Sequence, residues 1–453
     1  MAVMVPPRLR LDKGSVAWGA GALAVAALAA AEGARLASSQ SAKLALVMPV
    51  GLLLALVAIV GAFARPRATF AAAFFLLGVV RVEPAPTDAL FILLILAGVL
   101  GGERLRPRVP VPIALVLAAF VSVTMLSLSS AISLSVGLRF EAITVYLAIL
   151  AVWLTHVLRD ADLVRLGIRA YIWCGAISSI VSVIALELHP PGATLLLYAN
   201  ERTMGLFKDP NVFAPYLIVP MAILLEEIGR PRLLGWSTRR SVTFLLILMS
   251  GLLFAYSRAA WVNFAIAAVV ILGVYALRRA GGLAFRRMLL VLAAIGVAAL
   301  IALVATGQLG LFESRSKLQG YDNTRFQNQA IAISKSTARV FGHGPGQASL
   351  ELVQNAHSTY VETLFESGVI GIALLVTLFG ATLLCALVMA FRDGDVHGVG
   401  SAALLGIWAG HLLNSGVVDT LHWRHAWIVA AFIWLGSVTR MKTIPGAAGA
   451  PAG

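Results

Sequence analysis

Four side chains have the types and settings that could do chemistry. Arg258 stands in Tyr256-Ser257-Arg258, the clearest polar break in the apolar run from Ser241 to Leu277. Arg202 lies in Glu201-Arg202-Thr203-Met204-Gly205-Leu206-Phe207-Lys208-Asp209-Pro210-Asn211, just before an apolar segment that opens with Asp209 as cap and Pro210 at the first helical position. Arg325 falls in a polar window with alternating apolar residues, and His357 in Asn355-Ala356-His357-Ser358-Thr359-Tyr360. A guanidinium stays charged and binds phosphate oxygens in a forked geometry, so arginine suits an anionic ligand better than lysine. An imidazole titrates near neutral pH and can take a proton from a poor nucleophile.

Each has an ordinary alternative. Arginines at span ends commonly snorkel to lipid phosphate, and an external helix beside anionic headgroups favours basic residues. A lone histidine is more often a satisfied structural residue, and His343, between glycines, reads as a turn residue. Asp419, His422, Arg424 and His425 cap a short hairpin and read as a polar network rather than a metal site. The Asp-x-Asp of Asp393-Gly394-Asp395 falls on the opposite side from the four candidates. No metal ligand set is expected, and no cofactor.

The elements that must position these residues are transmembrane. Of 453 residues, 60% are hydrophobic and only 12% charged, about half the charged share of a typical soluble domain. Apolar runs recur from end to end at the roughly 20-residue length a helix needs to cross the hydrocarbon core. Strict period-2 alternation is missing, which excludes a barrel and leaves helices. Spans are expected near 15–31, 44–64, 68–80, 89–100, 112–134, 142–158, 163–186, 212–228, 241–256, 259–277, 288–305, 369–391, 400–413 and 426–438. The third and fourth are short enough to form a re-entrant pair, so the fold class is an all-α polytopic bundle of about 12–14 transmembrane helices. The run 241–277 as one helix would be ~55 Å long, so it must double back at Ser257. Cys174 and Cys385 sit inside apolar runs and read as small core residues.

The formal charge of +14 does not indicate nucleic acid. Most of the Lys and Arg residues sit in short loops on one side, among them Arg65, Arg67, Arg104, Arg106, Arg108, Arg230, Arg232, Arg239 and Arg240. By the positive-inside rule both termini and these loops face the cytoplasm. The four candidates then share the external side. Residues 1–305 form membrane helices with short loops, 306–367 a long external helical loop, 368–440 three further membrane helices, and 441–453 a flexible cytoplasmic tail. Within the loop, Asn323–Val340 is expected to be an amphipathic surface helix, 342–346 a glycine turn, and a second helix to start around Asn355 and run into the next span.

Arg-Thr-Met-Gly-Leu-Phe-Lys-Asp-Pro-Asn, Ser-Arg-Ala-Ala-Trp, Gly-His-Gly-Pro-Gly, and Ala-His-Ser-Thr-Tyr followed by Glu-Ser-Gly-Val-Ile-Gly resemble, in order and spacing, the O-antigen ligase and polymerase superfamily. The resemblance covers roughly 143–383. Ser358 stands where that family often has Asn after the motif histidine. The resemblance implies a metal-independent glycosyltransferase that takes a glycan from undecaprenyl pyrophosphate and passes it to an acceptor hydroxyl at the periplasmic face of the bacterial inner membrane. It implies Arg202 and Arg258 as the arginines that hold the pyrophosphate and His357 as the catalytic base; Arg325 joins the pyrophosphate-binding set from its place on the external helix. A ligase acting on lipid A–core is favoured; a polymerase of carrier-linked repeat units is the alternative. A protein O-oligosaccharyltransferase is less favoured, as is a transporter, which would need ionisable residues at mid-membrane.

Overall fold

The computed structural model describes residues 54–81, 84–199, 201–278, 281–317, 320–336, 339–353 and 355–439. The first expected span, the start of the second and the tail lie outside these. The chain divides into two compact units, one formed by residues up to Leu76 with Val82–Leu105, the other by Leu77–Arg81 with Arg106 onward.

In the first unit, α1 (Leu54–Ala64) meets α2 (Pro66–Phe75), and α3 (Pro86–Leu100) packs back on α2. Pro66 and Pro86 begin their helices, where a missing N–H costs nothing. Phe70, Phe74 and Phe91 form the aromatic centre, and the Thr87 hydroxyl donates to the Ala73 carbonyl at 2.9 Å. α2 and α3 are each shorter than the ~20 residues a full crossing needs.

The second unit is a helix bundle around α7 (Pro210–Gly229), 94% of whose apolar window is buried. Around it stand α4 (Val111–Ser127), α5 (Leu134–Val157), α6 (Ala161–Leu188), α8 (Thr238–Phe254), α9 (Arg258–Leu277) and α10 (Gly282–Ala305). The outer segment carries α11 (Leu309–Ser316), α12 (Gly320–Ser336) and α13 (Ala348–Glu351), and the chain finishes with α14 (Thr359–Phe391), α15 (Ser401–Asn414) and α16 (Arg424–Val438). Each expected span after the first coincides, where described, with a helix, and among the described residues seven helices are long and apolar enough to cross a membrane. α10 is buried over only 17% of its window; Leu290, Val297, Leu300 and Ile301 point outward, as lipid-facing residues do. The fold is an all-α polytopic bundle.

Four local features build the scaffold. The 241–277 run does double back: α8 ends at Phe254, Tyr256 turns with φ 47°, and α9 starts at Arg258. α15 carries Gly406-x-x-x-Gly410 against α9. A Cβ at Gly406 would stand 2.7 Å from the Ala267 carbonyl, and one at Gly410 2.7 Å from the Asn263 carbonyl. Only glycine lets these backbones touch, and such close contact is what associates helices in lipid. α14 is broken at Gly368 (φ 68°, ψ −170°), where a side chain would run into the Val340 carbonyl. The break frees the carbonyls of Phe365 and Glu366, which accept from His343 N and Gly344 N at 3.0 and 2.9 Å, so the glycine turn satisfies the orphaned groups.

The fourth feature is an ion cluster at the end of α7 remote from Asp209. β3 (Asp395–Val396) and β4 (Val399–Gly400) make a small hairpin. Asp393 meets Arg230, Arg232 and Arg278, and Asp395 meets Arg232. Burial alone would raise the Asp393 pKa, but the hydrogen bond from Arg230 and the neighbouring Arg278 and Arg232 hold it below the ordinary value. Glu227 accepts from the backbone of Arg232, Leu233 and Leu234. Arginines and aspartates that hydropathy assigned to one side therefore meet at one end.

Two expectations about the outer segment need correction. The amphipathic helix runs Gly320–Ser336, starting before Asn323 and ending before Val340. Asn355 caps nothing: residues 355–358 are non-helical, and α14 starts at Thr359 with the Ser358 hydroxyl accepting from Val361 N. His357 thus lies in the loop before the helix, at φ 50°.

Candidate active site

Arg202 comes from a two-stranded hairpin, β1 (Leu197–Tyr198) and β2 (Arg202–Thr203), inside the 187–211 loop. A cluster of Ala185, Leu186, Leu197, Phe254, Tyr256 and Leu303 seats that hairpin against the α8–α9 turn. The guanidinium is buried. Its Nε donates to the Ala255 carbonyl at 2.9 Å, and Nη2 donates to Asn211 Oδ1 at 3.2 Å and the Tyr256 carbonyl at 3.3 Å. Arg202 thereby ties the hairpin, the α8–α9 turn and the first turn of α7 together.

Arg258, two residues past that turn, opens α9. Its Nη2 donates to both carboxylate oxygens of Asp322 at 2.8 Å, and Nη1 donates to the Lys317 carbonyl at 2.9 Å. Arg325 is one turn further along α12 from Asp322 and half-buried. α12 is fastened to the loop before α14 by Gln329, whose Nε2 donates to the Ala356 carbonyl at 3.0 Å.

His357 follows directly and is half-buried. Burial, then the positive charge of Arg325, lowers its pKa below the ordinary imidazole value, against the opposing pull of Asp209 and Asp419. The Asp209 carboxylate caps α7 through Asn211 N at 2.7 Å. Asp419 belongs to the α15–α16 loop and accepts from Leu421 N and the Thr359 hydroxyl. Thr359 N donates to the Ser415 carbonyl at 2.9 Å, so the His357 segment is clamped to that loop. A non-glycine residue in the left-handed region costs about 1–3 kcal/mol and persists where its surroundings over-determine it.

The structure ties these residues in pairs: Arg202 reaches Asn211, Arg325 and Asp209 act electrostatically on His357, and Asp322 links α12 to Arg258. Arg202 and Arg258 are not bare cations, since carbonyls hold the first and a carboxylate the second. Asp322, Asp419 and Gln329 are the contributors to which the sequence reading gave no role here; Asp322 lay in the polar window, and only the three-dimensional pairing singles it out.

His343 is a structural residue, as read: its Nδ1 lies 2.9 Å from Glu351 Oε2 and its ring stacks on Phe365 at 4.1 Å. His422 bonds Thr144, and His425 packs on Trp423 and Tyr216. Among the described residues no group of three potential metal ligands converges.

The fold defines a polytopic α-helical membrane protein, in which α12 carries Arg325 and the Asp322 partner of Arg258 and is fastened to the loop of His357. Residues 243–376, from α8 into α14, match the family model described as O-antigen ligase. The matched stretch contains Arg258, Arg325 and His357 and leaves Arg202 outside it. No curated protein matches the chain.

Proposed function

We propose that this protein is a metal-independent glycosyltransferase that moves an O-antigen polysaccharide from undecaprenyl pyrophosphate to a sugar hydroxyl of lipid A–core at the periplasmic face of the inner membrane. The observation that carries this reading is the setting of His357, a half-buried imidazole whose pKa is lowered by burial and by Arg325 against Asp209 and Asp419, with Arg325 one turn along α12 from Asp322, the partner of Arg258.

An imidazole whose pKa is lowered is neutral at physiological pH and can accept a proton. His357 takes the acceptor hydroxyl proton as that oxygen bonds to the anomeric carbon of the donor. The bond from this carbon to the pyrophosphate oxygen breaks, and its electron pair leaves with the carrier. Arg258 and Arg325 stabilise the charge that grows on the leaving group, a task preorganised cations perform well near low-dielectric lipid. Arg202, whose guanidinium bonds Ala255, Tyr256 and Asn211, keeps the α8–α9 turn in place and so positions Arg258. A positioned base contributes typically 10²–10⁴-fold.

The test is transfer by purified protein with a carrier-linked glycan and either core lipid or a second carrier-linked unit as acceptor. Product on core lipid supports the ligase. A ladder of growing carrier-linked chains replaces it with the polymerase, and no product with either acceptor refutes both.

A further inference from the structure

A second concave site lies on the outer end, apart from His357. Arg81, Thr194, Leu197, Tyr198, Ala199, Met204 and Lys208 enclose an open cavity of about 580 Å³, within the size range of small-ligand sites. Three separate stretches of chain build it. Arg81 follows a backbone bridge in which Val80 N donates to the Leu206 carbonyl at 2.9 Å, and its Nη1 donates to the Leu195 carbonyl at 2.9 Å. Thr194 belongs to the short helical turn before β1, and Lys208 leads into the α7 cap. Tyr198 pairs with Arg202 across the β1–β2 hairpin, and the Arg202 guanidinium sits 5.8 Å over the Tyr198 ring. Ala199, beside it on the rim, is held at φ 52°.

The lining divides by chemistry. Arg81 and Lys208 are exposed cations, Thr194 offers a hydroxyl, and Leu197 and Met204 form a buried apolar floor beside the half-exposed Tyr198 ring. Two cations at one mouth select an anion, and a guanidinium that has spent one N–H on a carbonyl keeps others for phosphate oxygens. A bare phosphate would fill little of 580 Å³. An aromatic face next to a hydroxyl and an apolar floor suits a ring with one apolar and one polar side.

The geometry points to this cavity as a binding site for a phosphorylated saccharide, its phosphate between Arg81 and Lys208 and its ring against Tyr198. Such a group occurs on a glycan, whereas a lipid headgroup would present the same phosphate without a pyranose ring. The assignment concerns binding alone and stands or falls independently of the transfer chemistry at His357.

The experiment is thermal stabilisation of the detergent-purified full chain by glucose 6-phosphate, with glucose, inorganic phosphate and phosphatidylglycerol as parallel probes. The expected result is a saturable upward shift in Tm with glucose 6-phosphate, larger than with glucose or phosphate at equal concentration. The shift should fall by at least half in Lys208→Ala and in Arg81→Gln, which keeps a donor for the Leu195 carbonyl. It should persist in His357→Ala, so loss of transfer and loss of this site are told apart. An equal shift with inorganic phosphate, or a shift from phosphatidylglycerol that the sugar phosphate does not reproduce, overturns the assignment. So does an undiminished shift in both variants.

Discussion

On the proposed reading, the Asp322 carboxylate occupies the face of Arg258 that the donor phosphate would need. Both oxygens accept from one guanidinium nitrogen at 2.8 Å, and the two side chains are 27% and 10% exposed. Asp322→Asn keeps the shape and one acceptor but removes the charge. A hydrogen bond to a charged group contributes roughly 1.5–3 kcal/mol, and a neutral one about 1. The substitution therefore removes on the order of 1 kcal/mol from a contact that competes with the donor. Since 1.4 kcal/mol is tenfold in affinity, donor binding should tighten by several-fold, up to about tenfold. The assay is equilibrium binding of a carrier-linked pyrophosphate glycan to wild type, Asp322→Asn and Asp322→Glu, with Tm measured alongside. Asp322→Glu should behave like wild type. Unchanged or weaker donor binding in Asp322→Asn at an unaltered Tm would refute the idea that this carboxylate holds the phosphate seat.

Other outcomes follow from the same geometry. His357→Ala should abolish transfer while leaving donor binding largely intact, measured by the same binding assay beside product formation; residual turnover near wild type would remove the base from His357. Because Arg325 lowers the His357 pKa, Arg325→Gln should let that pKa rise. The neutral base is lost as pH falls, so the acidic limb of the rate profile should move to higher pH; a limb that stays put or moves down contradicts the pairing. Gly410→Ala puts a methyl against Asn263, and overpacking of this kind costs typically 1–3 kcal/mol. A clear drop in Tm is expected, and an unchanged Tm would show that α9 and α15 can separate freely.

Much of the fold was legible because lipid imposes one rule on every span. Helices of the right length had to appear where hydropathy peaked, and the doubled-back run 241–277 had no other geometry within ~30 Å of hydrocarbon. Arg230, Arg232 and Arg278 meet Asp393 at one end of α7, while Arg202 bonds Asn211 at the other. What remained hidden was local. Asn355 and Ser358 are both good cap residues, and the choice fell to Ser358 through the clamp of Thr359 on Ser415, a contact 56 residues away in the chain. Gly368 looked like an ordinary membrane-helix glycine, because nothing nearby in sequence announces that Val340 must pass against it. The 197–203 hairpin is too short for any periodicity to reveal. The pairing of Arg258 with Asp322, and the effect of Asp419 on His357, could not be anticipated, since both depend on how α12 and the α15–α16 loop are placed.

The fracture at Gly368 has a bearing on how a large substrate could reach His357. His343 and Gly344 donate to carbonyls that the interrupted helix leaves open, and Gln347 exchanges two further hydrogen bonds with the Ser133 backbone. Peeling this glycine-rich stretch away would expose several polar groups at the membrane boundary at once, so it behaves as a fixed doorframe. α12 is held by more than Asp322 and Gln329: Ala332 is buried among Ala348, Leu352, Ala356 and Phe365, and the Lys335 Nζ donates to the Glu351 carbonyl at 3.1 Å. α12 and the glycine-rich stretch are thus bound by apolar packing as well as by hydrogen bonds, and the pair is expected to move as one piece if the approach to His357 widens.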